Sequence, residues 1–345
     1  MAANYTEQAP SRWSLAAGPL DRRGVRRSLA LTFFFVALLV TLLATSAAAS
    51  PALSVAPSAI LALHVQRMVA AFVAGSALAV AGVLAQAVTG NPLADPGILG
   101  TSGGSFLGAK LGIVLTLALP LSLPLRAGAS VVGALIGAAL SLAILLGATR
   151  RSTPLEFLLT GFILSMAFSG VSTVVTAMAQ EFPALGRALV MFAMGDLAGA
   201  GWPELRVAAP LAVGCISGAM LRRRDLDLLS LGSDEAQSLG LSVQSARYAI
   251  LGWVACGTTA AVVLAGQLAF VGLLGPHLAR RFVGGTHRLL VPAAAFFGGI
   301  IVLASDRVAV VLAELASVPT GAVTTLAGAP FFFFLLRRRL SDGPN

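Results

Sequence analysis

Long apolar runs recur from near the start of this chain to its end, and they constrain its fold more than any other feature. A stretch of about 18 or more residues with few charges reads as a helix that crosses a membrane. Such runs fall near 28–48, 64–88, 98–119, 127–148, 155–178, 203–221, 245–267, 268–284, 289–312 and 320–336, which predicts about ten spans. The segment 188–201 is apolar but short and glycine-rich, which predicts a partial or re-entrant helix. The runs are continuous and do not alternate, so a transmembrane β-barrel is excluded. The expected fold class is an all-α integral membrane protein.

Little of the chain is left for a soluble domain. Only 11% of residues are charged, against about 25% in a typical soluble domain. The longest polar pieces are the tail 1–27 and the stretch 222–241. The basic cluster 22–27, the run 29–45 and SAAAS resemble a secretory leader. The run is long for that role and many spans follow, so it reads as a retained first span.

The net charge of +9 comes from arginines at the ends of apolar runs. With the N-terminus inside, Arg12, Arg22, Arg23, Arg26, Arg27, Arg150, Arg151, Arg222, Arg223, Arg224, Arg247, Arg280, Arg281, Arg288, Arg337, Arg338 and Arg339 fall on the cytoplasmic side. Only Arg67, Arg126, Arg187, Arg206 and Arg307 fall outside. This bias predicts an even span count with both termini in the cytoplasm. Topology therefore explains the basicity better than a nucleic-acid partner does.

On the arginine-rich side lies RRRDLDLLSLGSDEAQSLGL, residues 222–241. Ser233 suits an N-cap, and Asp234 and Glu235 fall in the first turn, where the helix dipole favours negative charge. Gly240 suits the C-terminal stop. The stretch predicts a helix of about two turns between two spans. It fits either an ordinary polar connection or a handle on which another protein pushes.

The loop TGNPLADPGILGTSGG, residues 89–104, holds Asn91, Pro92, Asp95, Pro96 and Gly97. Its two prolines remove backbone donors and disfavour helix before them, which predicts a rigid, irregular turn at the cytoplasmic mouth of the bundle. A glycine-rich loop invites a phosphate-binding reading, but that needs a lysine followed by Ser or Thr. Lys110 is the chain's single lysine and Leu111 follows it, so there is no Walker A motif. His64, His277 and His287 are scattered, no His, Cys, Asp or Glu cluster has metal spacing, and no nucleophile motif is present. No catalytic or metal residue is assigned, and no cofactor is expected on this chain. Cys215 and Cys256 both lie in apolar runs and read as core residues. Gly104, Gly108 and Gly112, and likewise Gly133 and Gly137, recur four apart and predict close helix packing. Lys110, Asp306 and Glu314 sit in or beside spans, where charge is costly. They fit a proton relay, an aqueous vestibule or mutual pairing.

Four segments in order carry a resemblance: TGNPLADPGILGTSGG (89–104), LLSLGSDEAQSLGL (228–241), GQLAFVGLLGPHLARRFVGGTHRLLVP (266–292) and PTGAVTTLAGAPFFFFLLRRR (319–339). Together they resemble the FecCD-type permeases, the membrane subunits of ABC importers for iron–siderophores, haem and cobalamin. The resemblance spans about residues 64–339. It implies ten helices per subunit, a second permease copy or sister permease, cytoplasmic ATPase subunits beneath, and an extracytoplasmic substrate-binding protein above. ATP and magnesium would then belong to the ATPase.

By the same resemblance, the ATPase-coupling helix is 232–240, with Asp234, Glu235, Ala236, Ser238, Leu239 and Gly240 in contact. The acids would meet basic groups, while Ala236 and Leu239 would present an apolar face to a groove. The loop residues Asn91, Pro92, Asp95, Pro96 and Gly97 take a gate role. Binding-protein docking falls to His64, Arg67 and Arg307. Here the chain departs from the family: His64 and Gln66 stand where its Arg-x-Pro-Arg has arginine and proline, the glutamate before Val318-Pro319 is missing, and Arg307 lies three residues before the usual arginine, where Val310 stands. The expected organisation is a tail 1–27, a permease domain 28–339 and a tail 340–345, as a multi-pass protein of the cytoplasmic membrane. The expected function is non-catalytic import of a ferric siderophore, with cobalamin or haem as alternatives and an ion-coupled secondary transporter as the competing class.

Overall fold

A computed structural model describes residues 57–118, 123–149, 154–313 and 317–341. The tail 1–27, the first expected span 28–48, Glu314 and the end of the tail 340–345 lie outside the described residues or at their limit. Among the described residues every regular element is helical. Among the described residues six helices are long and apolar enough to cross a membrane.

Helix α1 (Pro57–Thr89) is the axis of the bundle. Its alanines are buried nearly all round, and it packs against α6 (Trp202–Leu221), α9 (Val243–Ala265), α10 (Val271–Val283) and α11 (His287–Leu312). Small side chains make this possible, because lipid supplies no hydrophobic drive between helices and close backbone packing must replace it. The same logic shapes the seam between α2 (Thr101–Ala118) and α3 (Leu123–Ala148). Gly104 faces Gly137, Gly108 faces Gly133 and Gly112 faces Ala129, so closely that a Cβ on any of the three would overlap the opposite backbone. The fourfold glycine spacing therefore did predict the packing.

Helix α4 (Pro154–Met178) turns most of its surface away from the subunit, with Phe162, Ile163, Met166, Val174 and Met178 exposed. An apolar face of this size is covered by lipid or by another membrane helix.

Two expected elements differ in extent. The partial helix read at 188–201 is α5 (Pro183–Met194), which begins on Pro183 and stops at Gly195, where φ is +77°. The expected span 268–284 is α10, of 13 residues. That length reaches about 20 Å, short of a hydrocarbon core of about 30 Å. A turn at 266–270, with Phe270 itself at φ +64°, separates it from α9. The breaks meet in space: Gly321, at the start of α12 (Thr320–Ser341), donates its N–H to Gly195 O at 2.8 Å, and the Gln267 N–H reaches Phe192 O at 3.4 Å.

Candidate functional site

The polar stretch after α6 folds as two short helices where the sequence suggested one. Helix α7 (Arg223–Leu229) buries Leu226 and Leu229. Helix α8 (Ser233–Ser238) follows after a turn. Gly232, at φ +125°, occupies the cap, so Ser233 is the first helical residue and makes no side-chain cap. Only glycine adopts that backbone conformation cheaply, and Glu235 folds its carboxylate back over it. Asp234 and Glu235 do fall in the first turn. At the other end the Gly240 N–H meets Gln237 O and the Leu241 N–H meets Ala236 O, each at 3.0 Å, with Gly240 at φ +87°. This paired closure satisfies the last carbonyls of the helix.

Helix α8 has two unlike faces. Ala236 is 0% exposed and plugs into the bundle, so it anchors the helix and offers no apolar surface to a groove. Leu239 is 61% exposed, and Asp234, Glu235, Ser238 and Gly240 are also exposed. The outward surface thus combines two acids with one bare leucine.

The α7–α8 unit is tied to the bundle by a residue pair that sequence reasoning missed. Asp227 Oδ1 accepts the His287 backbone N–H at 3.0 Å and lies 2.7 Å from His287 Nδ1. His287 is the buried first residue of α11. Burial alone would push the Asp227 carboxyl up, but hydrogen bonds from His287, aided by the charges of His287 and Arg223, outweigh it and hold the carboxyl below its usual range. The pair spans 60 residues, and neither side chain carries a sequence signal that points to the other.

The loop after α1 is irregular, as expected, and is wedged between helices. Asn91 Oδ1 accepts the Leu93 N–H at 2.9 Å, and Asp95 Oδ1 accepts the Gly97 N–H at 2.8 Å. Pro96 opens a single 3-10 turn, Pro96–Leu99. Ser165 of α4 donates to Gly97 O at 2.7 Å, while Asp95 and Pro96 press on Gly272 of α10. Pro92 sits with Phe270, Phe331 and Phe332 around a small cavity between the loop, α10 and α12. Burial pushes the Asp95 carboxyl up to about 6, only partly offset by the Gly97 N–H. One loop thus bonds to α4, presses on α10 and shares a cavity with α12.

At the far end of α1, the arginines expected to face a docking protein turn inward. Arg67 Nε and Nη2 both donate to the fully buried Asp306, at 2.8–3.0 Å. Arg307 Nη2 reaches the same carboxylate at 3.2 Å, and the Thr320 hydroxyl donates to it at 2.9 Å. Asp306 therefore pairs with arginines, and not with Lys110. Asp196 also acts on Arg67 electrostatically, so the two arginines are faced by two acids. His64 stands half-buried on the same end. Gln66, in place of the family's proline, donates to Ala200 O at 2.8 Å, a bond that proline could not make. Lys110 lies 2% exposed, with its Nζ 2.7 Å from Thr176 Oγ1 and 4.6 Å from the Phe106 ring centroid.

Among the described residues no group of His, Cys, Asp or Glu could hold a metal ion. Cys215 and Cys256 are free thiols. What the arrangement offers is mechanical: an exposed short helix, rigidly capped, and tied through Ala236 and Asp227 to the helices behind it.

Comparison with known proteins agrees with that character. The chain is 35% identical over 280 residues to the hemin transport system permease protein HmuU of Yersinia pestis, covering 81% of this chain and 83% of that one. It is 34% identical to the Fe(3+) dicitrate transport system permease protein FecD of Escherichia coli K12, covering 79% and 83%. A solved metal-chelate type ABC transporter in an inward-facing conformation superposes with a TM-score of 0.79 at 27% identity, covering 90% of this chain and 99% of that one. Residues 27–338 match the profile of the FecCD transport family, so the chain is a member of that family.

Proposed function

We propose that this chain is the permease subunit of an ABC importer that carries a ferric siderophore across the cytoplasmic membrane. Family membership over nearly the whole chain supports a permease of the iron, haem and cobalamin class. Within that class, the relative named for Fe(3+) dicitrate favours a ferric chelate, while the hemin permease keeps haem as the second reading. Cobalamin stands behind both.

In this reading a second permease, identical or a sister, covers the apolar face of α4. The arginine-rich end faces the cytoplasm, as do both termini. A separate ATPase holds ATP and magnesium and grips α8 through Asp234, Glu235, Ser238, Leu239 and Gly240. Closure of the ATPases pushes α8, and the tie from Asp227 to His287 passes the motion to α11 as a rigid-body step. Asn91, Pro92, Asp95, Pro96 and Gly97 form a gate loop that feels α4, α10 and α12 together. At the opposite end Arg67, a quarter exposed beyond its bonds to Asp306, together with Arg307 and His64, meets the binding protein.

The observation that carries the proposal is the α8 surface, in which acids and a bare leucine stand on an anchored, capped helix. The test is uptake of a radiolabelled ferric chelate into vesicles holding the assembled importer. Uptake should survive collapse of ion gradients and stop on ATP depletion; the reverse identifies an ion-coupled transporter. Reversing both charges, Asp234→Lys with Glu235→Lys, should abolish uptake while the subunit remains inserted. Unchanged uptake in that variant removes α8 from the mechanism.

A further inference from the structure

Beside α8 the bundle opens into a cleft of about 380 Å³. Thr149 at the end of α3, Phe157 of α4, Gln237 of α8, and Gln244, Arg247 and Tyr248 of α9 line it. Among the described lining residues Arg247 is the one charged side chain. Its guanidinium carbon lies 5.7 Å from the centroid of the Phe157 ring. Its Nε is closed off from solvent and has no acceptor among the described residues. At the rim the Gln244 amide N–H donates to Tyr248 Oη at 2.7 Å.

With its Nε shut away from solvent and acceptor alike, the guanidinium has only its outer nitrogens left for an anion, and an anion there would offset part of the cost of holding the charge in this place. Arginine is also a particular choice for such a place. Its planar fork stacks on an aromatic ring and then presents fixed donors that match a carboxylate in bidentate fashion. The neighbouring α8 surface has the opposite sign, with Asp234 and Glu235 exposed. A partner meeting both features must carry basic groups against α8 and an acid against the cleft. Such an alternation fixes the register of docking more tightly than either contact alone.

We propose that the cleft is a second anchoring point for the ATPase, in which Arg247 binds a carboxylate side chain of that subunit. This rests on the reading of α8 as the ATPase contact. Gln237 and Tyr248 line the same cleft, and Phe157 holds the guanidinium in place. The ATPase would then touch α8 and the α3–α4 end in one step, so its motion would reach both sides of the bundle.

The test titrates purified ATPase onto the detergent-solubilised permease and reads affinity. Arg247→Gln should weaken binding about tenfold or more, as expected when one partner of a buried charge pair is lost, and Arg247→Lys should recover part of it. Ser242→Asp sets an acid in the same cleft with Arg247 retained, and should weaken binding to a similar degree. If Arg247→Gln fails to insert, that second variant decides. Wild-type affinity in both overturns the proposal, whether or not the melting temperature changes. Normal ATPase affinity with loss of co-purifying anionic phospholipid also overturns it and makes the cleft a lipid site. If charge reversal at 234 and 235 abolishes binding while the Arg247 and Ser242 variants bind normally, the α8 reading stands and this one falls. If none of them changes binding, both fall.

Discussion

At the end of the bundle where α1 begins, Asp306 lies fully buried and takes hydrogen bonds from Arg67, Arg307 and Thr320. At the end where α6 stops, Asp234 and Glu235 stand exposed on a helix held down by the buried Ala236 and, through α7, by the Asp227 tie. Both ends carry acids and arginines, yet they treat them in opposite ways. The Asp306 cluster draws α1, α11 and α12 into one unit, because a carboxylate excluded from water must be answered by donors from its neighbours. The acids of α8 face solvent, and among the described residues they make no bond beyond their own turn. Charge turned inward holds helices together; charge turned outward is available to a partner that arrives and leaves.

Asp306→Ala is the severest test of this contrast. It leaves two arginines at a largely buried site without their anion, and losing one member of a buried pair costs about 3–5 kcal/mol. The amount of folded protein in the membrane and its thermal unfolding in detergent should both fall sharply. Asp306→Asn should fall less, since its amide oxygen still accepts from Thr320 and one arginine. If Asp306→Ala unfolds at the wild-type temperature, the cluster is not holding the helices, and the inward–outward contrast loses its first half.

The two ends also differ in how far they could be read from sequence. Helix α8 was legible because its signals are local: acids in the first turn, then Gly240 four residues after Ala236. Even there the cap was misplaced by one residue, because Gly232 at φ +125° does the work that Ser233 suggested. The inward turn of Ala236 was not legible, since a helix of six residues has too little periodicity to define a face. The Asp306 cluster could not be read at all. Its arginine partner at position 67 is 239 residues away, and each charge taken alone looked like a docking or relay residue. The half-length of α10 was hidden for another reason. Apolar composition runs on from α9 into α10, and only the backbone turn at Gly266 and Phe270 divides them. Glycine spacing in α2 and α3 succeeded where composition failed, because steric closeness has a fixed helical period.

Asp227→Ala probes the seam between the two behaviours, where an otherwise outward-facing unit is fastened to the bundle. The side chain is 41% exposed, so removing its bonds to His287 should cost about 1 kcal/mol. Uptake per ATP hydrolysed should fall further than stability does, since α8 would then move without carrying α11. Asp227→Asn keeps an acceptor for the His287 backbone N–H and should retain most of the coupling. The carboxyl is held below its usual range in the folded chain. Its contribution is therefore complete above the ordinary carboxylate value of about 3.9 and is lost as pH falls through the lower folded value. The stability gap between wild type and Asp227→Ala should stay constant from neutral pH down to mildly acidic pH and close only in stronger acid. A gap that has already closed in mildly acidic solution would assign the effect to a different group.

Leu239→Ser should have the smallest effect on the fold and is the sharpest test of what outward means here. The side chain is 61% exposed and the cap geometry beneath it comes from backbone bonds of Gly240 and Leu241. A surface change of this kind shifts stability by no more than about 0.5 kcal/mol. If α8 is a surface meant to be gripped, the loss of one exposed leucine should still weaken ATPase binding several-fold, because such anchors carry a disproportionate share of interface energy. Equal losses of stability and binding would mean that Leu239 packs within the subunit after all. An unchanged affinity would leave only the two acids as the outward contact and would reduce α8 from an apolar grip to an electrostatic one. That last difference is measurable: an electrostatic contact weakens steeply as salt rises, whereas one centred on Leu239 does not.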